Sequence, residues 1–153
     1  MSVPNVKTYD LDKVSLSVCG IPITGGYGEG GSINIKRNAE LFENVVGRSG
    51  DVVRSRTNDK TSTVEITLLQ TSPDNAKLAA LAALDEAAPN GAGIGAFECV
   101  DRQNGDLYAG TKAWVQKLPD VTFDRKGTDR TWTVFVADLV EMPGGRPAPL
   151  PSI

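Results

Sequence analysis

Asp120, Asp124 and Asp129 are the nearest approach to a reactive centre in this sequence, because paired carboxylates can serve as the acid and base of glycoside hydrolysis. They flank a polar segment beside Arg125, Lys126 and Arg130, where a solvated loop of mixed charge is the plainer expectation. The chain has no histidine, which removes Ser/His/Asp and Cys/His nucleophilic chemistry and the commonest metal ligand together. Cys19 and Cys99 are 99 − 19 = 80 positions apart and cannot furnish a structural zinc site alone. Two buried, reduced thiols are expected. Asp101, Asn104 and Asp106 have neither the spacing nor the closing glutamate of a calcium loop and read as turn residues. Five glycines between Gly25 and Gly31 suggest a phosphate loop, but no Gly-Lys-Ser/Thr and no helix start follow. Tyr108 and Trp114 share a strand as a stacking platform for bases would, yet no basic stripe accompanies them, so packing is expected. No catalytic residue, metal or cofactor is assigned.

Composition agrees. Hydrophobic residues make up 40% and charged residues 23% of the 153, with a net charge of −3, so an ordinary globular chain without general affinity for nucleic acid is expected. No stretch approaches the roughly 20 apolar residues of a membrane span, and Met1 to Asp12 lacks the regions of a signal peptide, which predicts residence in the cytoplasm of the producing cell.

Alternation marks the strands that must carry any site. Val14, Leu16 and Val18 alternate with Ser15, Ser17 and Cys19, and Ile33 and Ile35 resume the pattern, which predicts a hairpin joined by the glycine-rich segment. Thr63 to Leu69 alternates again. A helix is predicted next: Ser72 as N-cap, Pro73 at the first position, Asp74 at the positive end of the dipole, and Leu78, Leu81, Ala82 and Leu84 as the apolar stripe. Pro89, Asn90 and Gly91 end it. Asn104-Gly105 predicts a hairpin between Ala96 to Asp101 and Leu107 to Leu118. Val121 to Phe123 and Arg130 to Val140 read as a second one, and the latter strand is apolar on both faces, which suggests one face on the core and one on a neighbouring subunit.

Residues 37 to 59 fit neither period. Phe42, Val45, Val46, Val52 and Val53 lie among Arg48, Arg54, Arg56 and several acids, and Glu40 to Val46 suits a helical turn. So long a connection is unusual in a compact domain, and its apolar residues need cover, either on a partner surface or over the protein's own barrel. From Pro143 onward four prolines and two glycines exclude a helix or central strand and predict an arm, free or laid on another subunit. A single β domain over residues 1–142 and a Pro/Gly-rich arm over 143–153 follow.

At Glu65-Ile66-Thr67-Leu68-Leu69-Gln70-Thr71-Ser72-Pro73-Asp74-Asn75, with Leu78 and Leu81 behind it, the chain resembles the tail tube proteins of contractile-tailed bacteriophages. Gly28 to Ile33, Gly50 to Asn58, Lys117 to Val121 and Thr131 to Thr133 extend the likeness over nearly the whole chain. The hemolysin-coregulated tube subunits of type VI secretion are the nearest competitor. The resemblance implies a mainly β fold, a β-sandwich or small β-barrel with one flanking helix over about 73–88 and a long extended loop over about 37–59. It further implies a non-enzymatic subunit forming hexameric rings that stack into a hollow tube for DNA, with tail sheath, baseplate or initiator and tape measure proteins as partners. Phe42, Val45, Arg48, Val52, Arg54, Arg56 and Trp132 would then contact other subunits. A monomeric ligand-binding β-barrel and a carboxylate-based hydrolase are the readings outside that class.

Overall fold

The computed structural model describes residue 6 and residues 8–23, 32–88 and 90–145. The glycine-rich connection and the arm beyond 145, both singled out above, therefore lie outside the described residues. Ten strands and one helix follow in order: β1 (Val14–Val18), β2 (Ile21–Ile23), β3 (Ile33–Arg37), β4 (Phe42–Val46), β5 (Val52–Arg56), β6 (Ser62–Leu69), α1 (Asp74–Ala87), β7 (Gly95–Asp101), β8 (Asp106–Lys117), β9 (Asp129–Val136) and β10 (Val140–Met142).

Seven strands form one antiparallel sheet in the order β2-β1-β7-β8-β9-β6-β3, with β10 pairing β8 as the eighth. Leu16 and Val18 of β1, Phe97 of β7, Ala113 of β8, Trp132 and Val134 of β9 and Val64 to Leu68 of β6 all bury their inward faces in one cluster. A flat sheet of seven strands, spaced about 4.8 Å apart, could not bring its ends together. This one curls until β3 faces β1 and β7, but the ends do not pair, so the sandwich-like form of the two expected architectures is observed and no barrel closes. Irregularities at Gly95/Phe97 and Val115/Lys117 supply the bending.

The 12-residue β8 is the hub. One edge pairs β7; the other pairs β10 at Leu107 to Ala109 and then β9 from Ala113 to Lys117. At the changeover Asp138 turns its carboxylate onto the freed amides, accepting from Thr111 N (3.0 Å), Lys112 N (3.1 Å) and the Thr111 hydroxyl. These bonds hold its carboxyl below the usual carboxylate range, as the Thr61 hydroxyl and amide do for Asp59 and the Asn104 side chain for Asp101. A lowered folded-state pKa contributes stability above the unfolded value, near 4, and that contribution is lost as pH falls through the folded one. Unfolding free energy should therefore hold steady from neutral pH to about 5 and decline below about 4. In Asp138→Asn a denaturant titration at each pH should show part of that decline gone.

Gly110 lies at the same changeover, and a Cβ there would stand 2.3 Å from Val136 Cγ1. Val136 is fully buried and has no room to move. Gly110→Ala should cost about 1–3 kcal/mol, the usual penalty of overpacking, read as a lower urea midpoint at unchanged slope.

Several expectations need correction. The first hairpin is β1 with β2, closed by Cys19 (φ 52°) and Gly20 (φ 82°) as a two-residue turn, whereas β3 pairs β6. Residues 118 to 128 are irregular, so Val121 to Phe123 is not a strand. On α1, Ser72 does act as the cap, its Oγ accepting from Asp74 N at 3.3 Å, and Leu78 is buried with Leu81 against the core, but Leu84 points outward at 52% exposure.

Candidate assembly surface

Residues 37 to 59 depart most from their expectation, and β4 and β5 are the reason. Rather than an unpatterned loop with a helical turn, they form a regular two-stranded hairpin that hydrogen-bonds to no strand of the main sheet. Phe42 pairs with Arg56, Val45 with Val53 and Val46 with Val52. The turn between them is set by Gly47 N donating to Asp51 O (2.6 Å), Gly50 N donating to Gly47 O (3.0 Å) and Gly50 at φ 90°. Two valine pairs separated by a five-residue segment containing two glycines are a hairpin signal, and that signal was present in the sequence.

The hairpin's root is firmly tied. Thr57 N donates to Leu41 O, Asn38 N to Thr61 O, and Asn38 links Thr61 and Thr63 through its side chain at 3.1 and 2.8 Å. Asp59 Oδ1 accepts from Thr61 N and Oγ1 at 2.9 and 2.6 Å. The strands beyond this clasp stand in solvent: Val45, Val46, Val52 and Val53 are each at least 60% exposed. Cross-strand neighbours place Phe42, Val46, Val52, Arg54 and Arg56 on one face and Glu43, Val45, Val53 and Ser55 on the other. The Arg54 guanidinium lies 4.1 Å from the Phe42 ring centre and that of Arg56 5.8 Å, leaving a cationic, aromatic face. Arg48 is exposed in the turn. Residues 42 to 56 carry three arginines against Glu43 and Asp51, a net +1, so the rest of the chain carries −3 − 1 = −4.

An isolated two-stranded hairpin is marginal in water, and four exposed valines within ten strand residues add a cost that nothing among the described residues removes. Burying them on another molecule would release it. Among the described residues two further edges, those of β2 and β3, are left unpaired at the ends of the main sheet.

Other singled-out residues fall elsewhere. Trp132 lies in the buried cluster, 3% exposed, with its Nε1 donating to Asn75 Oδ1 at 2.8 Å, and it lines a recess with Asn75, Leu118 and Arg130. Asp120 and Asp129 line one shallow polar recess with Glu65, but Asp124 is not part of it and instead accepts from Arg125 N. Among the described residues no three acids or cysteines gather closely enough to hold a metal ion. Asp101 accepts from Gln103 N and from the Asn104 amide and side chain, as a turn residue does. Trp114 packs on Phe135 with ring centres 5.0 Å apart, and Tyr108 lies against the core. Cys99 is buried and Cys19, donating to Ala113 O at 3.1 Å, is half-buried; both are free thiols. Burial pushes Cys99 up to about 11 and raises Cys19 as well, so neither is a ready thiolate at neutral pH. Asp138 and the Asn38, Asp59, Thr61 clasp went unnoticed in the sequence, since isolated polar residues carry no periodic signal.

Solved structures show the same fold. The chain superimposes on the tube-terminating cap of the anti-feeding prophage with a TM-score of 0.58 at 6% identity, covering 94% of this chain and 96% of that one. On the sheath/tube terminator of the extracellular contractile injection system PVC, in its extended state, the score is 0.62 at 10% identity, with 90% and 98% covered. On a chain of the PVC sheath-tube complex, also extended, it is 0.61 at 10%, with 89% and 92% covered. No curated protein matches the sequence. The family model described as bacteriophage PhiTE tail tube protein matches residues 6–144, nearly the whole described chain, and this chain, with its curled sheet and flanking helix, belongs to that family of structural tail proteins.

Proposed function

We propose that the chain is a tail tube subunit of a virion: copies close into hexameric rings, the rings stack into a hollow tube, and DNA passes through it at ejection. The exposed β4–β5 hairpin carries this reading. Within a ring the open edges of β2 and β3 supply the lateral contacts, and between rings the hairpin docks onto the next ring, where Phe42, Val45, Arg48, Val52, Arg54 and Arg56 make contact. A basic, aromatic hairpin meeting a remainder of charge −4 is electrostatically complementary. Because the axial contact is head-to-tail it does not close on itself, and it propagates. Six chains carry 6 × −3 = −18, a field that favours sliding of DNA over sticking. Sheath outside, an initiating baseplate and a tape measure protein inside are the proposed partners, with assembly in the host cytoplasm before the tail is complete. A neighbour described as part of a sheath-tube complex supports the sheath contact.

Light scattering across a concentration series tests the ring. Six chains of 16.2 kDa give about 97 kDa as the smallest stable oligomer, with larger multiples above it. A mass that stays at one chain contradicts the proposal. Because two structural neighbours are terminators, the second reading is a capping subunit of a contractile injection device, which would halt at a single ring instead of extending.

A further inference from the structure

Three recesses meet at Leu118, where α1 and the irregular segment after β8 come together. One, of about 400 Å³, is mostly apolar and lined by Ala76, Ala79, Pro119, Val121 and Trp132. Leu118 and Val121 stand 54% and 59% exposed beside it. The two adjoining recesses are acidic: Glu65, Asp120 and Asp129 line the first, Asp85 and Glu86 the second. Lys117 and Arg130 are the cations of this strip, so its charge is −5 + 2 = −3. Both are engaged. Lys117 lies 3.9 Å from Asp120, and Arg130 Nη1 donates to Thr128 Oγ1 at 3.1 Å with its guanidinium over the Phe123 ring. Among the described residues Asp85, Glu86 and Asp129 have no ion-pair partner. Such a surface suits an apolar segment that also carries free cations.

The β4–β5 hairpin has that chemistry. Its Phe42 face carries Val46 and Val52 next to the turn and Arg54 and Arg56 behind them, and neither arginine has a carboxylate partner among the described residues. Within one chain the two surfaces lie at opposite ends of β6. The hairpin joins the body at the Ser62 end, where Asn38 N donates to Thr61 O, whereas the apolar recess lies past Leu69, at Gln70 and Asn75. The eight residues of β6 separate these points by roughly 26 Å, at a strand rise near 3.3 Å. Two copies in one orientation, the second displaced along β6, bring the hairpin of one onto the recess of the other, and the step repeats without closing. We propose that the recess at Leu118 is the acceptor for the hairpin of a second copy: Val46 and Val52 enter between α1 and Val121, and Arg54 and Arg56 meet Asp129 and Glu86. The contact joins a segment of charge +1 to a strip of −3 and covers exposed apolar side chains on both partners. It supplies the partner surface of the axial contact proposed above; its head-to-tail order rests on that reading, and the match of hairpin to recess does not.

A photoreactive benzophenone side chain in place of Val46 tests it in the full-length protein, with ¹⁴N- and ¹⁵N-labelled chains mixed in equal amounts before assembly. Crosslinks mapped by mass spectrometry should fall on peptides containing Ala76 to Ala79 or Leu118 to Val121 and join chains of different isotope. Arg54→Glu with Arg56→Glu should lower their yield about fivefold, the scale of two exposed ion pairs. Glu86→Arg with Asp129→Arg should do the same, and the four reversals together should restore the yield. Neither acid's side chain bonds to another described residue, so the fold does not depend on them. Crosslinks of one isotope only would place the hairpin on its own chain and overturn the proposal. So would a fourfold variant that recovers nothing, or a protein that forms no crosslinks at any concentration. Filaments whose crosslinks fall on other peptides would overturn this acceptor and leave the tube standing; the expected crosslinks in a species of two chains would keep the acceptor and overturn the tube.

Discussion

Replacing Phe42 to Arg56 with a short Gly-Ser linker is expected to leave a folded, soluble protein that no longer polymerises. The excision is clean because Leu41 and Thr57 already meet through a backbone hydrogen bond of 3.0 Å, and the Asn38, Asp59, Thr61 clasp lies entirely below it. The segment removed shares no strand pairing with the main sheet and contributes no residue to the buried cluster. Far-ultraviolet circular dichroism and the urea midpoint should therefore stay close to those of the parent, while sedimentation shows rings without stacks. Arg54→Glu with Arg56→Glu is the gentler form of the same experiment. It keeps the hairpin but reverses the charge beside Phe42, and filament length should fall more steeply in the variant at low salt, where charge is least screened. Filaments of parental length from the excised protein would place the axial contact elsewhere.

Trp132→Ala carries the second large effect, on stability. The indole is 3% exposed, lies among Ile66, Leu78 and Val134 in the buried cluster, and ties β9 to the helix through Asn75, whose own amide donates to Leu69 O at 2.8 Å. Truncation removes the packing and leaves the Asn75 oxygen without its donor. A loss of about 3–5 kcal/mol is expected, a large share of the roughly 5–15 kcal/mol that holds a domain of this size together. Trp132→Phe keeps most of the volume and should lose about 1 kcal/mol, the worth of the hydrogen bond. Calorimetry or urea unfolding separates the two, and parental stability in the alanine variant would contradict the burial.

Legibility in the sequence followed how local each determinant is. Thr63 to Leu69 alternates because β6 is covered on one face by the core, and its burial runs in strict alternation over eight residues. Asn104-Gly105 announced the β7–β8 hairpin because the turn takes Gly105 to φ 81°, which glycine tolerates, while Asn104 bonds back to the Asp101 carboxylate through its amide and side chain. The helix was visible from its cap and proline, although Leu84 was assigned to a face that covers nothing. By contrast, β3 pairs β6 across 62 − 37 − 1 = 24 intervening residues or more, a choice made by the closing of the whole sheet, and the Cys19-Gly20 turn had already given β1 its neighbour. Val121 and Phe123 alternate like a strand, yet Pro119 and the anchoring of Thr128 to Gln70 hold the segment as an irregular loop with Phe123 83% exposed. The hairpin's apolar and basic side chains stand out in the sequence as needing cover; that they lie on two strands does not, because a strand with no buried face shows no period-two pattern.

The tube itself is the central claim, and electron microscopy of the concentrated protein tests it most directly. Six-fold rings with an open centre, stacking end to end into hollow filaments whose rings touch through the β4–β5 hairpin, are the predicted images. Particles of single-chain size at every concentration, or closed assemblies without a lumen, would contradict it.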